Sequence, residues 1–490
     1  MEGGKMTVHE AARFSPETGF PEIHPPLTPA EAVIESGRCL YCFDAPCVRA
    51  CPTHIDIPKF IGRIHTGDVR GAARAILDAN ILGGTCARVC PVEELCEGAC
   101  VEVKLQRRPI AISALQRFAV DHAMERRLQL FRPGKPTGKR VAIVGAGPAG
   151  LSCAFELRRA GHEVVIFDAR DLAGGVNTHT VAPYKHTVDF CREEIRLVTD
   201  MGVEIRQRTV VGRDVKFEDL RRDFDAVFLG IGLGHTRRLG IPGEEFGGVW
   251  EALAYLEAAR LRPREIPRAR NVAVVGAGNT AIDCATTAAR LGDSKVMIIY
   301  RRGREDVPAF PYEQEIARGD EIEFVCQALP VRILGAGGKA IGLECLRTRL
   351  GDSDARGRRS FEPVPASEFE IAADQVIMAL GQEPWRDFTK TTAGLALTER
   401  GLVQVDDRTM MTSIPGVFCG GDAINGGREV VDAVEDGKRA ARGIHCHLHD
   451  LDPAAFGLPG DGGGPRQMWH GVTDASQIAP PIEPIAPIHH

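Results

Sequence analysis

KRVAIVGAGPAG, residues 139–150, decides the fold. Four apolar residues, Val141–Val144, run into Gly145-x-Gly147-x-x-Gly150, and the segment AGLSCAFELRRAG continues as a helix. Asp168 closes the next apolar run, EVVIFD. A strand, a glycine turn, a helix and a distal acid together read as a dinucleotide-binding unit, whereas a glycine triplet alone would not. The first glycine permits the tight turn, the second lets a pyrophosphate approach the backbone, and the helix start offers its N–H groups to phosphate. Asp168 is placed to accept from ribose hydroxyls.

The pattern recurs about 130 residues later in ARNVAVVGAGNTAIDCA, as Gly276-x-Gly278-Asn279-x-Ala281. Its second strand, VMIIY, ends in Arg301-Arg302-Gly303-Arg304 rather than in an acid. Arginine at that place suits a 2′-phosphate, which favours NADPH over NADH, although Glu305 and Asp306 stand beside it. Further on, TSIPGVFCGGDA (412–423) resembles the second FAD signature of flavoproteins with two dinucleotide folds, and carries Gly421 and Asp422 at the flavin edge, with Asp422 on the ribityl chain. The helix expected over EVVDAVEDGKRAARGI would aim its positive end at the flavin.

Eight of the 15 cysteines fall between Cys39 and Cys100. They form two runs, Cys39-x2-Cys42-x4-Cys47-x3-Cys51-Pro52 and Cys86-x3-Cys90-Pro91-x4-Cys96-x3-Cys100. Such spacing wraps thiolates around a cubane, and a last cysteine followed by proline often serves the other cluster. Two structural zinc sites are the alternative, but zinc usually takes short paired knuckles set well apart. A disulfide scaffold is a distant third in a large chain. The single cysteines elsewhere read as small core hydrophobes, and the histidines, His179 and His186 included, as structural.

The remaining composition narrows the function. A formal net charge of −6 gives no footprint for nucleic acid. No apolar run reaches the roughly 20 residues of a membrane span, and the N-terminus lacks the apolar core of a signal peptide, so a cytoplasmic protein is expected. Residues 1–28 read as an extended arm, 131–139 as a linker, and 451–490 as a Pro/Gly-rich tail, either a docking arm or a disordered end.

The segments RCLYCFDAPCVRACPTHIDIPKFI, GGTCARVCPVEELCEGAC, ISALQRFAVD, VAIVGAGPAG, VVGAGNTAID and VFCGGDA make the chain recognisable. Over about residues 28–448 it resembles the flavin subunit of bacterial dihydropyrimidine dehydrogenases and, a step further off, the small subunit of glutamate synthases. The resemblance implies an α+β multidomain fold: a helical iron–sulfur domain (29–130), then two Rossmann-like α/β nucleotide-binding domains. These would bind FAD (140–262 and 379–450) and NAD(P)H (263–378), the second inserted in the first. It also implies that Cys39, Cys42, Cys47 and Cys100 hold one [4Fe–4S] cluster, and Cys51, Cys90, Cys96 and Gln116 the other, leaving Cys86 a bystander. Residue order alone would assign eight cysteines, and Ser113-x-x-Gln116 could equally open a helix as a capping box. Glutamate-synthase-type relatives tend to show Glu there.

The chain departs from the family pattern after Gly174-Gly175, where Thr180-Val181-Ala182 replaces a Gly-Ile-Pro segment; Lys185 keeps a basic residue near the flavin. No FMN barrel fits in this chain. The resemblance therefore implies an FMN and iron–sulfur catalytic partner, in a heterotetramer, that interconverts uracil or thymine and their 5,6-dihydro forms. The expected role is electron input from NAD(P)H. A thioredoxin-reductase-like dithiol enzyme would need a C-x-x-C near the flavin, and Cys284 stands alone. A zinc-bound docking protein would leave both glycine fingerprints unexplained.

Overall fold

The computed structural model describes residues 15, 19–293, 295–354 and 357–453. The expected tail from 454 and most of the expected arm over residues 1–18 lie outside the described residues.

Short helices between Pro29–Ser36 and Ile112–Glu125 build the first domain. Their start signals are local: Thr28 and Glu31 form a capping box, and the Asp56 and Asp68 side chains cap the next two long helices. Phe60, Ile61, Ile64, Ile76, Leu77 and Leu115 close the core, with Cys51, Cys86 and Cys100 buried at its edge.

Strands follow in chain order: β1 (Arg140–Val144), β2 (Glu163–Phe167), β3 (Glu204–Arg206), β4 (Ala226–Leu229), β5 (Val249–Glu251), β6 (Asn271–Val275), β7 (Lys295–Tyr300) and β8 (Glu323–Cys326). Then come β9 (Ala328–Ala336), β10 (Lys339–Ser353), β11 (Arg359–Ala372), β12 (Gln375–Met378) and β13 (Val417–Cys419). Two parallel sheets result, ordered β13-β4-β1-β2-β3 and β5-β12-β6-β7-β8, with an antiparallel β11-β10-β9 ribbon beside them. The inner strands are apolar on both faces, as parallel strands covered by helices must be. The second sheet lies in the chain between β4 and β13, so its domain is inserted in the first.

One boundary differs from the sequence reading. Residues 249–262 were expected in the first nucleotide domain, yet β5 pairs with β12 and the helix Ala252–Leu261 packs Tyr255 and Leu256 on Val272 and Val274. The chain crosses over between β4 and β5. A three-residue edge strand carries no periodic signal of its own, so only pairing reveals its sheet.

The helix Val430–Leu448 lies against the helix Pro148–Arg159. Gly437 makes that approach possible, since a Cβ there would stand 2.2 Å from the Ala149 carbonyl oxygen. Ser152 Oγ donates to Val434 O at 2.8 Å in the same seam. Gly437→Ala forces the two helices apart, and an overpacked seam of this kind costs about 1–3 kcal/mol. Urea unfolding should show that loss, together with lowered FAD content after purification; an unchanged midpoint would contradict the packing described.

Candidate functional site

The two glycine turns adopt the same geometry. Gly145 has φ +100° and Gly276 φ +124°, and a Cβ would meet Gly230 O at 2.4 Å in the first and Ala379 O at 2.2 Å in the second. Both turns therefore require glycine. Gly147 and Gly278 cap the helices Pro148–Arg159 and Asn279–Leu291. A Cβ on Gly278 would meet nothing within 4 Å, so its backbone faces open space. Gly150 sits against Gly145 O, where a Cβ would come within 2.0 Å. Ala281, at the equivalent place, is buried in the second core.

The first cradle is completed from distant segments. Gly175 lies against Gly147, a Cβ on it being 2.8 Å from Gly147 Cα. Asp168 accepts from the Ala146 N–H at 2.6 Å and the Arg170 N–H at 2.8 Å, which ties the end of β2 to the turn. Gly421 brings the end of β13 against Ala149, 3.1 Å from a Cβ on it. Asp422 accepts from the Arg428 N–H at 3.2 Å, and burial pushes its carboxyl above the usual range. Asp436, which the sequence reading did not single out, accepts from the Gly421 N–H at 3.1 Å, and burial pushes it up to about 6. Its signal was an acid on the face of a helix that also carries Gly437.

This backbone-lined turn, with Gly175 against Gly147 and Gly421 against Ala149, fits FAD. Asn177 Oδ1 and His179 Nε2, close after Gly175, are buried polar atoms without a hydrogen-bond partner among the described residues. A flavin cofactor offers groups that such atoms can meet.

Lys185 is placed differently from a plain flavin contact. Its ammonium, buried, lies 2.8 Å from Asp283 Oδ1 and 2.6 Å from Glu313 Oε1, both in the inserted domain. Tyr184 and Tyr312 donate to the same two carboxylates at 2.9 and 2.6 Å. Burial opposes the charge on Lys185, but the two carboxylates win and hold its pKa above the usual lysine range. Nearby, Arg260 donates to Thr178 O, Val181 O and His186 O at 2.7, 3.0 and 2.7 Å. The Thr180-Val181-Ala182 segment thus docks on the inserted domain.

At the second cradle, Asn279 Oδ1 accepts from the Phe310 N–H at 3.0 Å. Arg301 and Arg302 follow β7, their guanidinium carbons 4.7 and 5.1 Å from the Phe361 ring centre. Glu305 and Asp306 pair with Arg359, at 3.0 and 2.7 Å, rather than with these two arginines. Arg302 Nε donates to Arg359 O at 2.6 Å, and its Nη1 is buried without a partner among the described residues.

The eight clustered cysteines sort into two groups that cross the two runs. Burial, and then the neighbouring Cys42 and Cys100 thiols, push the Cys39 thiol up; burial, then Cys100 and Cys39, push Cys47 up to about 12. Cys51 instead joins Cys86, Cys90 and Cys96 around one cavity, which Gln116, Asn80 and Val431 also line. The adjoining Cys86 thiol, and then burial, hold Cys90 well above its usual range. Converging thiols deprotonate when a cation shares the site, and iron supplies that charge, so the donor set fits iron–sulfur binding. Gln116 Nε2 donates to Gly83 O at 2.6 Å, leaving its oxygen for the cavity. Ser113 does not cap the helix: Ala111 is the cap residue, and Ser113 donates through N and Oγ to Glu97 Oε1 at 2.9 and 2.8 Å. Cys86 lines this cavity too, and Asn80 Nδ2 donates to its sulfur at 3.2 Å.

Two dinucleotide folds, one inserted in the other, behind a cysteine-rich helical domain define a flavin- and nicotinamide-nucleotide-dependent oxidoreductase with an iron–sulfur domain. Comparison with known proteins agrees. The family model described as pyridine nucleotide-disulphide oxidoreductase matches residues 139–437, and one described as dihydropyrimidine dehydrogenase domain II, 4Fe-4S cluster, matches residues 16–128. The chain is 36% identical over 440 residues to the glutamate synthase [NADPH] small chain of Escherichia coli, covering 87% of this chain and 93% of that one. It is 37% identical over 430 residues to the NADP(+)-dependent formate dehydrogenase subunit beta of Moorella thermoacetica, covering 82% of this chain but 60% of the relative. Mycobacterium tuberculosis FprA in complex with NADPH shares the fold, with a TM-score of 0.54 at 20% identity over 66% of this chain and 86% of that one. This chain belongs to the pyridine nucleotide-disulphide oxidoreductase family, in the group that carries a 4Fe–4S domain and is similar to the glutamate synthase small chain. No helix among the described residues is long and apolar enough to cross a membrane.

Lys185→Met leaves Asp283 and Glu313 buried without their cation. Breaking a buried pair in this way costs about 3–5 kcal/mol. Thermal unfolding should show the loss, whereas Arg192→Met, removing an exposed ion pair, should leave stability within about 1 kcal/mol.

Proposed function

We propose that this chain is the electron-input subunit of a dihydropyrimidine dehydrogenase, in which hydride from NADPH reaches FAD and single electrons leave through two [4Fe–4S] clusters to the FMN of a partner subunit. Gly145, Gly147, Gly150 and Gly175 expose backbone to the FAD pyrophosphate, Asp168 holds the adenosine ribose and Asp422 the ribityl chain. Gly276, Gly278, Asn279 and Ala281 shape the nicotinamide nucleotide's phosphate site, and Arg301 and Arg302 receive its 2′-phosphate. Cys39, Cys42, Cys47 and Cys100 hold one cluster; Cys51, Cys90, Cys96 and Gln116 hold the other.

The observation that carries the reading is the position of Val431. It lies in the first turn of the helix that follows the Gly421-Asp422 edge, and it lines the cavity of the second thiol group. One helix end thus serves the flavin side and the cluster side together. The other group opens outward: of the ten large hydrophobics exposed among the described residues, seven are Val33, Ile34, Leu40, Tyr41, Phe43, Val103 and Leu105. They neighbour Cys39, Cys42 and Cys100 in the chain, and exposed apolar side chains beside a cluster site suit a partner's docking surface.

Pyrimidine chemistry in the partner is supported by Gln116 and by the family model over residues 16–128. A second reading, input to a glutamate synthase, is supported by whole-length similarity to glutamate synthase small chains. The test is anaerobic co-purification with the native partner, analysis for iron, sulfide and flavins, and assay of NADPH-dependent uracil and thymine reduction beside glutamate formation. Iron and sulfide near eight per chain with one FAD is expected from two cubanes. Glutamate formation without pyrimidine reduction would move the acceptor to the second reading, and zinc without flavin would overturn both.

The arginine assignment has its own outcome. Arg301→Ala should raise KM for NADPH about 10-fold or more and leave KM for NADH nearly unchanged. Equal effects on the two nucleotides would remove Arg301 from the 2′-phosphate site.

A further inference from the structure

The helix Val430–Leu448 ends in His445-Cys446-His447-Leu448, followed by His449. His445 and His449 are four residues apart and share one face of the last turn. A third imidazole meets them from another element: His162, in the turn before β2, is fully buried. His162 Nε2 lies 2.9 Å from His445 Nδ1, and one nitrogen from each ring falls within 4.8 Å of the others.

His162 is oriented from behind. Its Nδ1 lies 2.8 Å from Thr137 Oγ1, whose own hydroxyl donates to Gly161 O at 3.4 Å. When that hydroxyl donates to Gly161 O, its oxygen accepts from the Nδ1–H of His162, and this is the tautomer that turns the Nε2 lone pair towards His445. Metal-binding histidines are oriented by such a partner on the far nitrogen. Nitrogens on one tetrahedral zinc ion stand about 3.3 Å apart, a spacing that small side-chain shifts reach from the present one.

We propose that His162, His445 and His449 form a binding site for one imidazole-preferring divalent metal ion of the Zn²⁺ class, which clamps the end of the Val430–Leu448 helix to the turn before β2. Exposed His449 leaves the fourth position open to water. The helix has 19 residues and is about 28 Å long, so the ion lies at the end remote from Gly421 and Asp422 and takes no part in electron transfer.

The test uses the whole chain loaded with iron, sulfide and FAD, so that the clustered thiols are occupied. The protein is freed of loose metal by chelator and gel filtration, then titrated with ZnCl2 by calorimetry, with thermal unfolding in parallel. One equivalent should bind with Kd in about the micromolar range or tighter, and saturation should raise Tm by about 2–5 °C. His449→Gln and His445→Gln should each weaken binding at least about 10-fold and abolish the Tm rise. His447→Gln, whose ring packs on Phe418, should change neither. NADPH oxidation should be the same with and without zinc in all four proteins. Equal zinc uptake by wild type and His449→Gln, or binding only at millimolar zinc, would overturn the site.

Discussion

The buried ammonium of Lys185 between Asp283 and Glu313 is the contact on which the relation of the two nucleotide domains depends. An ion pair taken out of water depends on the further hydrogen bonds that its partners make. Here Tyr184 and Tyr312 donate to Asp283 Oδ1 and Glu313 Oε1, the oxygens that also face Lys185, while Glu313 Oε2 stays buried without a partner among the described residues. Asp283 stands two residues after Ala281, so the same helix that opens at the second glycine turn carries the anchor for the loop beside the first. Arg260 adds three backbone carbonyls of that loop, from the helix after β5. The loop that departs from the family pattern is therefore shaped by the inserted domain as much as by the flavin site.

The helix Val430–Leu448 performs the corresponding task towards the iron–sulfur domain. Lys438 donates to Ala79 O at 2.6 Å and to Thr53 O at 3.4 Å, and Val431 reaches the thiol cavity. Ile81 and Leu82, from the segment before Cys86, pack into the core of the first nucleotide domain. Arg159 pairs with Asp78 at 2.6 Å across the same junction. Buried polar contacts of this kind fix distance and orientation better than apolar packing alone, which matters where electrons must cross between sites.

Much of the candidate site was legible because its determinants are local. A glycine with positive φ at a strand end, a cap, or a strand apolar on both faces is written in a few adjacent residues. The apparent contest over the arginines was not: Glu305 and Asp306 stand beside Arg301 and Arg302 in sequence, but Arg359 from β11 takes both acids. Nor was the role of Lys185 legible, since its partners lie about 100 and 130 residues away, in helices that nothing near Lys185 announces.

By itself, the sequence determined two dinucleotide folds, one nested in the other, behind a cysteine-rich helical domain, because each motif couples a short spacing to one backbone geometry. Residue order would have kept each cysteine run together; the crossing that the resemblance implied becomes a geometry only in the tertiary structure, where Cys51 lines the cavity of the second run and Cys100 stands by Cys39 and Cys47. The tertiary structure alone decided that β5 belongs to the inserted sheet. These are relations among segments whose side chains meet only after the helices pack, and chain order carries no term for them.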